Sequence, residues 1–206
     1  NAGDWCGFEG GIEGDDVTIT FEELPINGES TDITCYQGND GTIEIIAPSD
    51  GDWIYELLNE DGIEAILYSE ASSASSFIFQ NLPPGTYMAT IIDTNTNCVT
   101  EALFFQLEQP EEILATTIIT NSTCEGNDGA IQIQLTGGTA SYTTLFGDMT
   151  GGVISEQSGA NISFSNLQAG DYYFTPIDAN GCLTATDEIF FTIGVDGVDV
   201  SAPDAG

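Results

Sequence analysis

Apolar and polar residues alternate along much of the chain. Ile43 and Ile45 flank a glutamate, and Ile131, Ile133 and Leu135 are separated by single glutamines. Apolar residues two positions apart face the same side of an extended strand, so this spacing predicts strands with one buried face. No segment shows the period of an amphipathic helix. The pattern therefore predicts an all-β protein.

Turn-forming residues separate the predicted strands. Residues 59–62 read Asn-Glu-Asp-Gly, and an Asp-Gly pair supplies the positive φ that a tight hairpin turn requires. The first half of the chain contains, besides the strand through Ile43 and Ile45, predicted strands at 53–58, 63–68, 76–82, 86–93 and 99–107.

The same motifs occur twice. "TCYQGNDGTIEI" at 34–45 has a near copy, "TCEGNDGAIQI", at 123–133. "FQNLPPGTY" is matched by "FSNLQAGDY" and "IIDTNTNC" by "PIDANGC", and the three offsets are 88, 85 and 84 residues. Offsets this similar indicate two copies of a unit of ~85 residues, the size of a domain rather than of a solenoid turn. With six or seven short strands in each unit, we predict tandem immunoglobulin-like β-sandwiches at 27–113 and 114–206.

Residues 1–26 precede the two units. Val17, Ile19 and Phe21 alternate with threonines and predict one extra strand with a single apolar face. "DDVTITFEELP" in this segment is similar to "EALFFQLEQP" at the end of the first unit, so the segment is predicted to be the last strand of an incomplete repeat. Two interpretations stay open. The chain is a piece of a longer array, or this strand completes the sandwich of a neighbouring copy and builds head-to-tail filaments by strand addition.

The charge of the chain has one sign. Asp and Glu together number 34, Lys, Arg and His are absent, and the formal net charge is -34. Side-chain ion pairs are therefore impossible, and the charge repels nucleic acid and anionic lipid. The apolar content of 41% still supplies a packed core. We expect no nucleic-acid partner and no membrane insertion, because no apolar run approaches the ~20 residues of a membrane span.

Cations would relieve this repulsion, and carboxylate oxygens are ligands suited to Ca²⁺. The candidate ligands are Asp40 and Asp128, in the two Asn-Asp-Gly loops, and Asp93 and Asp178, at the ends of two predicted strands. The loops do not follow the EF-hand spacing, and Asn, Asp and Gly are equally expected in a tight turn without metal. The motif alone therefore favours the plain turn. Because the chain has no basic residue to act as a counterion, we nevertheless expect structural Ca²⁺, with the plain turn as the alternative.

The five cysteines are placed in register with the repeat. Cys35 and Cys98 lie 63 residues apart in the first unit, and Cys124 and Cys182 lie 58 apart in the second. We predict one disulfide in each unit, closing a loop of ~60 residues and contributing about 4 kcal/mol. Cys6 corresponds to the last cysteine of the incomplete repeat and is predicted to be intermolecular or unpaired. Such cysteine usage indicates an oxidising, extracellular compartment.

Catalysis is not expected. Without His, Lys or Arg the chain lacks the usual general base and any cation to stabilise an oxyanion. Only a carboxylate pair of the glycosidase kind stays as a remote alternative, a carbohydrate-active enzyme. Asn121 and Asn161 each begin an Asn-x-Ser/Thr triplet and are candidate glycosylation sites.

The repeated motifs resemble the SprB-type repeat of Bacteroidetes cell-surface proteins, which is named for a gliding-motility adhesin. The resemblance rests on Thr-Cys, Asp-Gly, Gly-x-Tyr and Asp-x-x-Gly-Cys in that order, twice, over roughly residues 27–200. The first unit departs from it by having Asn before the last cysteine, and the second lacks the closing Gln-Pro. The resemblance implies a secreted, cell-surface, multi-repeat β protein.

From all these features we expect an extracellular structural subunit of a self-assembling surface filament, whose partners are copies of itself. The alternative is a monomeric repeat of a long adhesin that binds glycans or surfaces. Ordered polymers would favour the first, and glycan binding by a monomer would favour the second.

Overall fold

A computed structural model describes residues 26–58, 65–68, 72–124, 126–150 and 152–196. These residues form sixteen β-strands. The described part of the chain contains no helix, and hence none that could cross a membrane. The chain divides into two compact units between Gln109 and Pro110, whereas the sequence predicted the boundary after residue 113. The predicted strand through Val17, Ile19 and Phe21, the predicted turn at 59–62 and Cys6 lie outside the described residues.

The first unit is a sandwich of two antiparallel sheets. One sheet has the order β1-β2-β5 and the other the order β4-β3-β6-β7. The chain passes from one sheet to the other between β5 and β6, a connection typical of immunoglobulin-like sandwiches. The strands are β1 (Asn27–Thr31), β2 (Gly41–Ile46), β3 (Trp53–Leu58), β4 (Ala65–Tyr68), β5 (Ser76–Leu82), β6 (Gly85–Asp93) and β7 (Leu103–Leu107).

The second unit repeats this topology. Its sheets have the orders β13-β10-β8 and β12-β11-β14-β15, and a short parallel bridge joins β9 to β16. The all-β, immunoglobulin-like prediction is therefore confirmed. The strands are β8 (Leu114–Thr120), β9 (Ser122–Thr123), β10 (Gly129–Thr136), β11 (Thr143–Asp148), β12 (Gly152–Ser158), β13 (Asn161–Leu167), β14 (Gly170–Ile177), β15 (Ile189–Ile193) and β16 (Val195–Asp196).

The alternating residues of the sequence form the two cores. Ile43 and Ile45 are fully buried in the first unit, and Ile131 and Ile133 are buried in the second. Each such side chain contributes on the order of 1.5–3 kcal/mol by leaving water. The residues between them point outward, so each central strand has one apolar and one polar face.

The chain crosses from one sheet to the other at the motif that precedes each Gly-x-Tyr. Asn81 and Asn166 both adopt φ of 59°, a left-handed conformation that Asn tolerates better than most residues. The hydroxyl of Tyr87 then donates to the carbonyl of Pro83 at 2.7 Å. The hydroxyl of Tyr172 likewise donates to a carbonyl four residues upstream, at 3.0 Å. This tyrosine corner explains why the same residues recur in both units.

Candidate functional site

In both Asn-Asp-Gly loops, the aspartate closes the loop by accepting hydrogen bonds from a threonine. Asp40 accepts from the N–H of Thr34 at 3.0 Å. Asp128 accepts from the N–H of Thr123 at 2.8 Å and from its hydroxyl at 3.0 Å. Ser122 adds a third donor to Asp128, at 3.1 Å. Since these bonds favour the charged form of the acid, each carboxylate stabilises its own loop.

The same bonds lower the pKa of both carboxyl groups. For Asp40 the largest cause is the side-chain hydrogen bond from Thr34, followed by the backbone one. For Asp128 it is the backbone N–H of Thr123, followed by the hydroxyl of that residue. Both carboxylates are therefore ionised at neutral pH, in loops that are already complete without a metal.

The glycine after each of these aspartates is required by a close approach of two strands. A Cβ on Gly41 would lie 2.9 Å from the carbonyl oxygen of Leu82, and one on Gly129 would lie 2.8 Å from that of Leu167. These distances are shorter than van der Waals contact allows. Both residues of the recurring Asp-Gly pair thus have a structural role: the aspartate closes the loop, and the glycine allows the two strands to approach.

Asp93 caps the turn that follows β6. Its Oδ1 accepts the N–H of Asn95 at 2.8 Å, and its Oδ2 accepts the hydroxyl of Thr96 at 2.9 Å. The N–H of Asn95 is the largest cause of a lowered pKa for Asp93, and the hydroxyl of Thr96 is the next. This is an Asx-turn, in which the side chain replaces a backbone acceptor.

Asp178 holds the corresponding turn of the second unit with three backbone donors. Its Oδ1 accepts the N–H groups of Asn180 and Cys182, both at 2.9 Å, and its Oδ2 accepts the N–H of Thr139 at 2.8 Å. With 6% of its surface exposed, Asp178 is a buried carboxylate whose lone pairs are engaged by protein.

The four predicted Ca²⁺ ligands do not come together. Within each sandwich, the two aspartates lie at opposite ends of the strands, with β6 between Asp40 and Asp93 and β14 between Asp128 and Asp178. In the described ranges, no three His, Cys, Asp or Glu side chains form a group that could hold a metal. Because Ca²⁺ takes about six to eight oxygen ligands, each aspartate would supply only one carboxylate to a site. Ca²⁺ binding stays a prediction.

The two cysteines of the first unit also lie at opposite ends of the sandwich. Cys35 lies beside the end of β7, where the N–H of Ile33 donates to the carbonyl of Glu108 at 2.9 Å. Cys98 lies beyond the far end of β6, where its carbonyl accepts the N–H of Asp93 at 2.9 Å. The nine residues of β6 span roughly 26 Å at ~3.3 Å per residue.

That separation excludes the predicted bond between Cys35 and Cys98, because the Cα atoms of a disulfide lie within about 7 Å. Both cysteines are nevertheless disulfide-bonded. The predicted pairing is therefore wrong, and each of them has another partner.

The second unit repeats the arrangement with one difference. Cys124, at the β9 end, is free and exposed, and its thiol lies 3.6 Å from the carbonyl oxygen of Asp196. Cys182 lies beyond the other end of β14 and is disulfide-bonded. The predicted bond between Cys124 and Cys182 is therefore also wrong, for the same reason of distance. In both units the cysteines mark the two ends of a sandwich.

The two candidate glycosylation sites differ in their surroundings. The side-chain amide of Asn121 donates to Asp196 at 2.9 Å, and its oxygen accepts the N–H of Gly194 at 3.0 Å. A glycan on Asn121 would disturb the first of these bonds. Asn161 is the first residue of β13 and its side chain is exposed. Both asparagines are exposed, and glycosylation of both stays a prediction.

The outward side of the β13-β10-β8 sheet carries amides and hydroxyls in register. Gln134 lies between Thr116 and Asn161 across the three strands, and Gln132 lies between Ile118 and Ser163. We call these two rows the amide face. They line a shallow depression of about 340 Å³. None of the six side chains is ionisable. The alternation of Ile with Gln along β10 was visible in the sequence, but the neighbours of the glutamines depend on strand register.

The corresponding side of the first unit is charged. Glu44 occupies the position of Gln132, and it pairs with Glu29 on one side and with Ile78 on the other. Like charges directly opposite one another on neighbouring strands are destabilising. The two units thus share a core and differ in what this sheet presents to solvent.

Comparison with known protein families matches the SprB repeat to residues 27–55 and 116–143. Each matched region begins in the first strand of a unit and includes the Asn-Asp-Gly loop and the central strand that follows it. The resemblance seen in the sequence is confirmed. No curated protein sequence matches the chain.

Several solved structures are similar to the chain. The immunoglobulin domains IG1+IG2 of DIP-gamma share 12% identity at a TM-score of 0.40, over 82% of this chain and 97% of that one. A C-terminal fragment of intimin, solved with the intimin-binding domain of its translocated receptor, shares 12% identity at a TM-score of 0.41, over 82% and 62%. The BSP domain of a biofilm associated protein shares 19% identity at a TM-score of 0.31, over 86% of this chain and 30% of that one.

Proposed function

From a chain that carries two SprB-type repeats, we propose an extracellular structural module that joins end to end with its own kind to build a surface filament. SprB repeats occur in cell-surface adhesins, which supports a surface location and an adhesive or structural task. Their known setting supports no enzymatic role.

The placement of the cysteines carries this proposal. In the first repeat both ends of the sandwich hold a disulfide-bonded cysteine, Cys35 and Cys98, which cannot be bonded to each other. Bonds at both ends suit a repeat that is joined in series. Cys124 occupies the Thr-Cys position that Cys35 occupies in the first repeat, yet it is free and exposed. It is therefore available to bond a further repeat.

Such a bond forms when the thiol of Cys124 and a cysteine thiol of another copy together lose two protons and two electrons. Exchange with a small disulfide, such as oxidised glutathione, supplies the oxidant and releases two equivalents of reduced glutathione. Strand addition by the segment around Val17, Ile19 and Phe21 would accompany it, since an apolar strand face must be covered.

Cations complete the proposal, because repulsion within an assembly grows with each copy that joins. We propose that Ca²⁺ neutralises part of the charge of -34. The opposed Glu29 and Glu44 are one place where a cation would relieve repulsion between neighbouring strands.

The test is sedimentation and electron microscopy of the full chain, without reductant, in millimolar Ca²⁺, in chelator, and in NaCl of matched ionic strength. We expect regular polymers in Ca²⁺ only. Deletion of residues 1–26 should abolish the polymers. Cys124→Ser changes an exposed residue and leaves the core intact, and its polymers should dissociate on dilution. A monomer under every condition would overturn the filament and leave the adhesin repeat.

One observation favours that second candidate, a monomeric adhesin repeat. The amide face offers hydrogen-bonding groups to solvent on a surface free of charge. End-to-end assembly does not use these groups, whereas binding of a ligand by an adhesin repeat would.

A further inference from the structure

We propose that the amide face of the second repeat binds a neutral polysaccharide. This inference does not depend on filament formation, since the face belongs to one sheet of a single repeat. It rests on the two rows across β8, β10 and β13, on their chemistry, and on the contrast with the first repeat.

The chemistry of the face matches that of sugar hydroxyl groups. Each side-chain amide of Gln132, Gln134 and Asn161 has two N–H donors and an accepting oxygen, and the hydroxyls of Thr116 and Ser163 both donate and accept. A sugar hydroxyl also donates and accepts, so either orientation finds a partner. Ile118, with 64% of its surface exposed, provides an apolar patch for the C–H side of a sugar ring.

The geometry suits an extended ligand. Side chains in the same row come from strands about 4.8 Å apart, which is close to the length of one hexose unit. Three strands therefore present a hydrogen-bonding group to each of two or three successive units. The two rows line a depression of about 340 Å³ that is open to solvent.

Charge restricts the ligand to a neutral one. The chain carries 34 carboxylates and no basic residue, so an anionic polysaccharide is repelled by the protein as a whole. A cationic ligand would instead be drawn to carboxylates such as Glu29 and Glu44. A ligand that selects the amide face over those surfaces has no net charge.

The first repeat supplies the matched control. Gln132 and Glu44 occupy equivalent positions, each at the centre of a row on the central strand. Gln132→Glu therefore gives the second repeat the residue that the first already carries on the same fold. Because the side chain is exposed, the substitution should leave the thermal unfolding midpoint nearly unchanged.

The experiment is isothermal titration of the full chain, produced without glycosylation, with cellohexaose, mannohexaose and an alginate hexamer. We expect at least one neutral hexasaccharide to bind, alginate to fail, and Gln132→Glu to weaken binding about tenfold, the equivalent of one lost hydrogen bond. Glu44→Gln should bind as the wild type does.

Three outcomes would overturn the proposal. They are no binding of either neutral hexasaccharide at millimolar concentration, equal binding by wild type and Gln132→Glu, or tighter binding of alginate. If Gln132→Glu changes the sedimentation coefficient without any sugar binding, the face is covered by another copy and the proposal is also wrong. The three sugar-binding results do not bear on filament formation through Cys124.

Discussion

Phe146 lies within the aromatic core of the second repeat and contacts three other rings. It is 2% exposed and stacks on Phe164 with ring centroids 4.2 Å apart. The ring of Tyr172 stacks at 5.4 Å, and that of Phe191 lies at 6.1 Å. The substitution Phe146→Ala removes the buried ring and all three contacts.

The expected loss of stability follows from these contacts. Truncation of a buried Phe to Ala costs about 3–5 kcal/mol, and aromatic pairs add about 0.5–1.5 kcal/mol each beyond burial. Because the range for Phe to Ala is measured on whole side chains and already includes such pairs, we expect a loss in its upper half, about 4–5 kcal/mol. That is a large part of the roughly 5–15 kcal/mol that stabilises a domain. For a domain of this size the unfolding midpoint should fall by at least about 16 °C.

Thermal and urea unfolding of the full chain, followed by near-UV circular dichroism, would measure the change. Phe190→Ala is the control, since that side chain is 58% exposed and its loss should cost less than about 0.5 kcal/mol. Phe146→Leu installs the type of residue that the first repeat has at the equivalent Leu57, and it should fall between the two. A loss below about 2 kcal/mol for Phe146→Ala would refute the packing described here.

Three further predictions concern the loops and the core. Hydrogen-bond donors lower the pKa values of Asp40, Asp93 and Asp128 below 3.8. The contribution of these carboxylates to the free energy of unfolding is therefore present above that pH, and it is lost as the pH falls through their pKa values in the folded protein. As the pH is lowered from 7 to about 4.5, protonation of carboxylates relieves repulsion, and the urea midpoint should rise. Below about pH 3.8 the midpoint should fall, because the three hydrogen-bonded aspartates begin to be protonated. A midpoint that keeps rising down to pH 2 would contradict this. Removing a tyrosine-corner hydroxyl, as Tyr87→Phe or Tyr172→Phe, should cost about 1 kcal/mol in urea unfolding, and unchanged stability in both would count against the corner. Thr144→Val should raise the free energy of unfolding by about 1 kcal/mol, because that fully buried hydroxyl has no hydrogen-bond partner in the described part of the chain; a loss of stability would indicate a partner.

Much of the fold could be predicted because apolar and polar residues alternate along β2 and β10, and this alternation shows which side of each strand is buried. Ile43 and Ile131 follow an Asp-Gly turn at the same place in each repeat, and period-two burial is a local property of the sequence. The first and last residues of the strands were predicted less accurately. The strand predicted at 99–107 begins at Leu103, and Val99 forms an isolated bridge to Ile92 outside it.

The candidate site depended on contacts that the linear pattern does not contain. Asp128 was recognised as a loop residue, but its donors are set by how the backbone of Thr123 turns toward it. The disulfides were predicted from the repeated placement of two cysteines in each unit, which does not say at which end of a sandwich each one lies. The amide face needed the register of three strands, of which β13 is remote in sequence from β8.

The position of Cys35 and Cys98 at opposite ends of the first sandwich has a mechanical consequence. A pull applied through the two sulfur atoms is directed along β6 and its neighbours rather than across them. In that direction the hydrogen bonds between strands are loaded side by side and share the force. A pull across the sheet would instead open them one after another, from an edge. A repeat anchored at these two points is a link built to carry tension along its length.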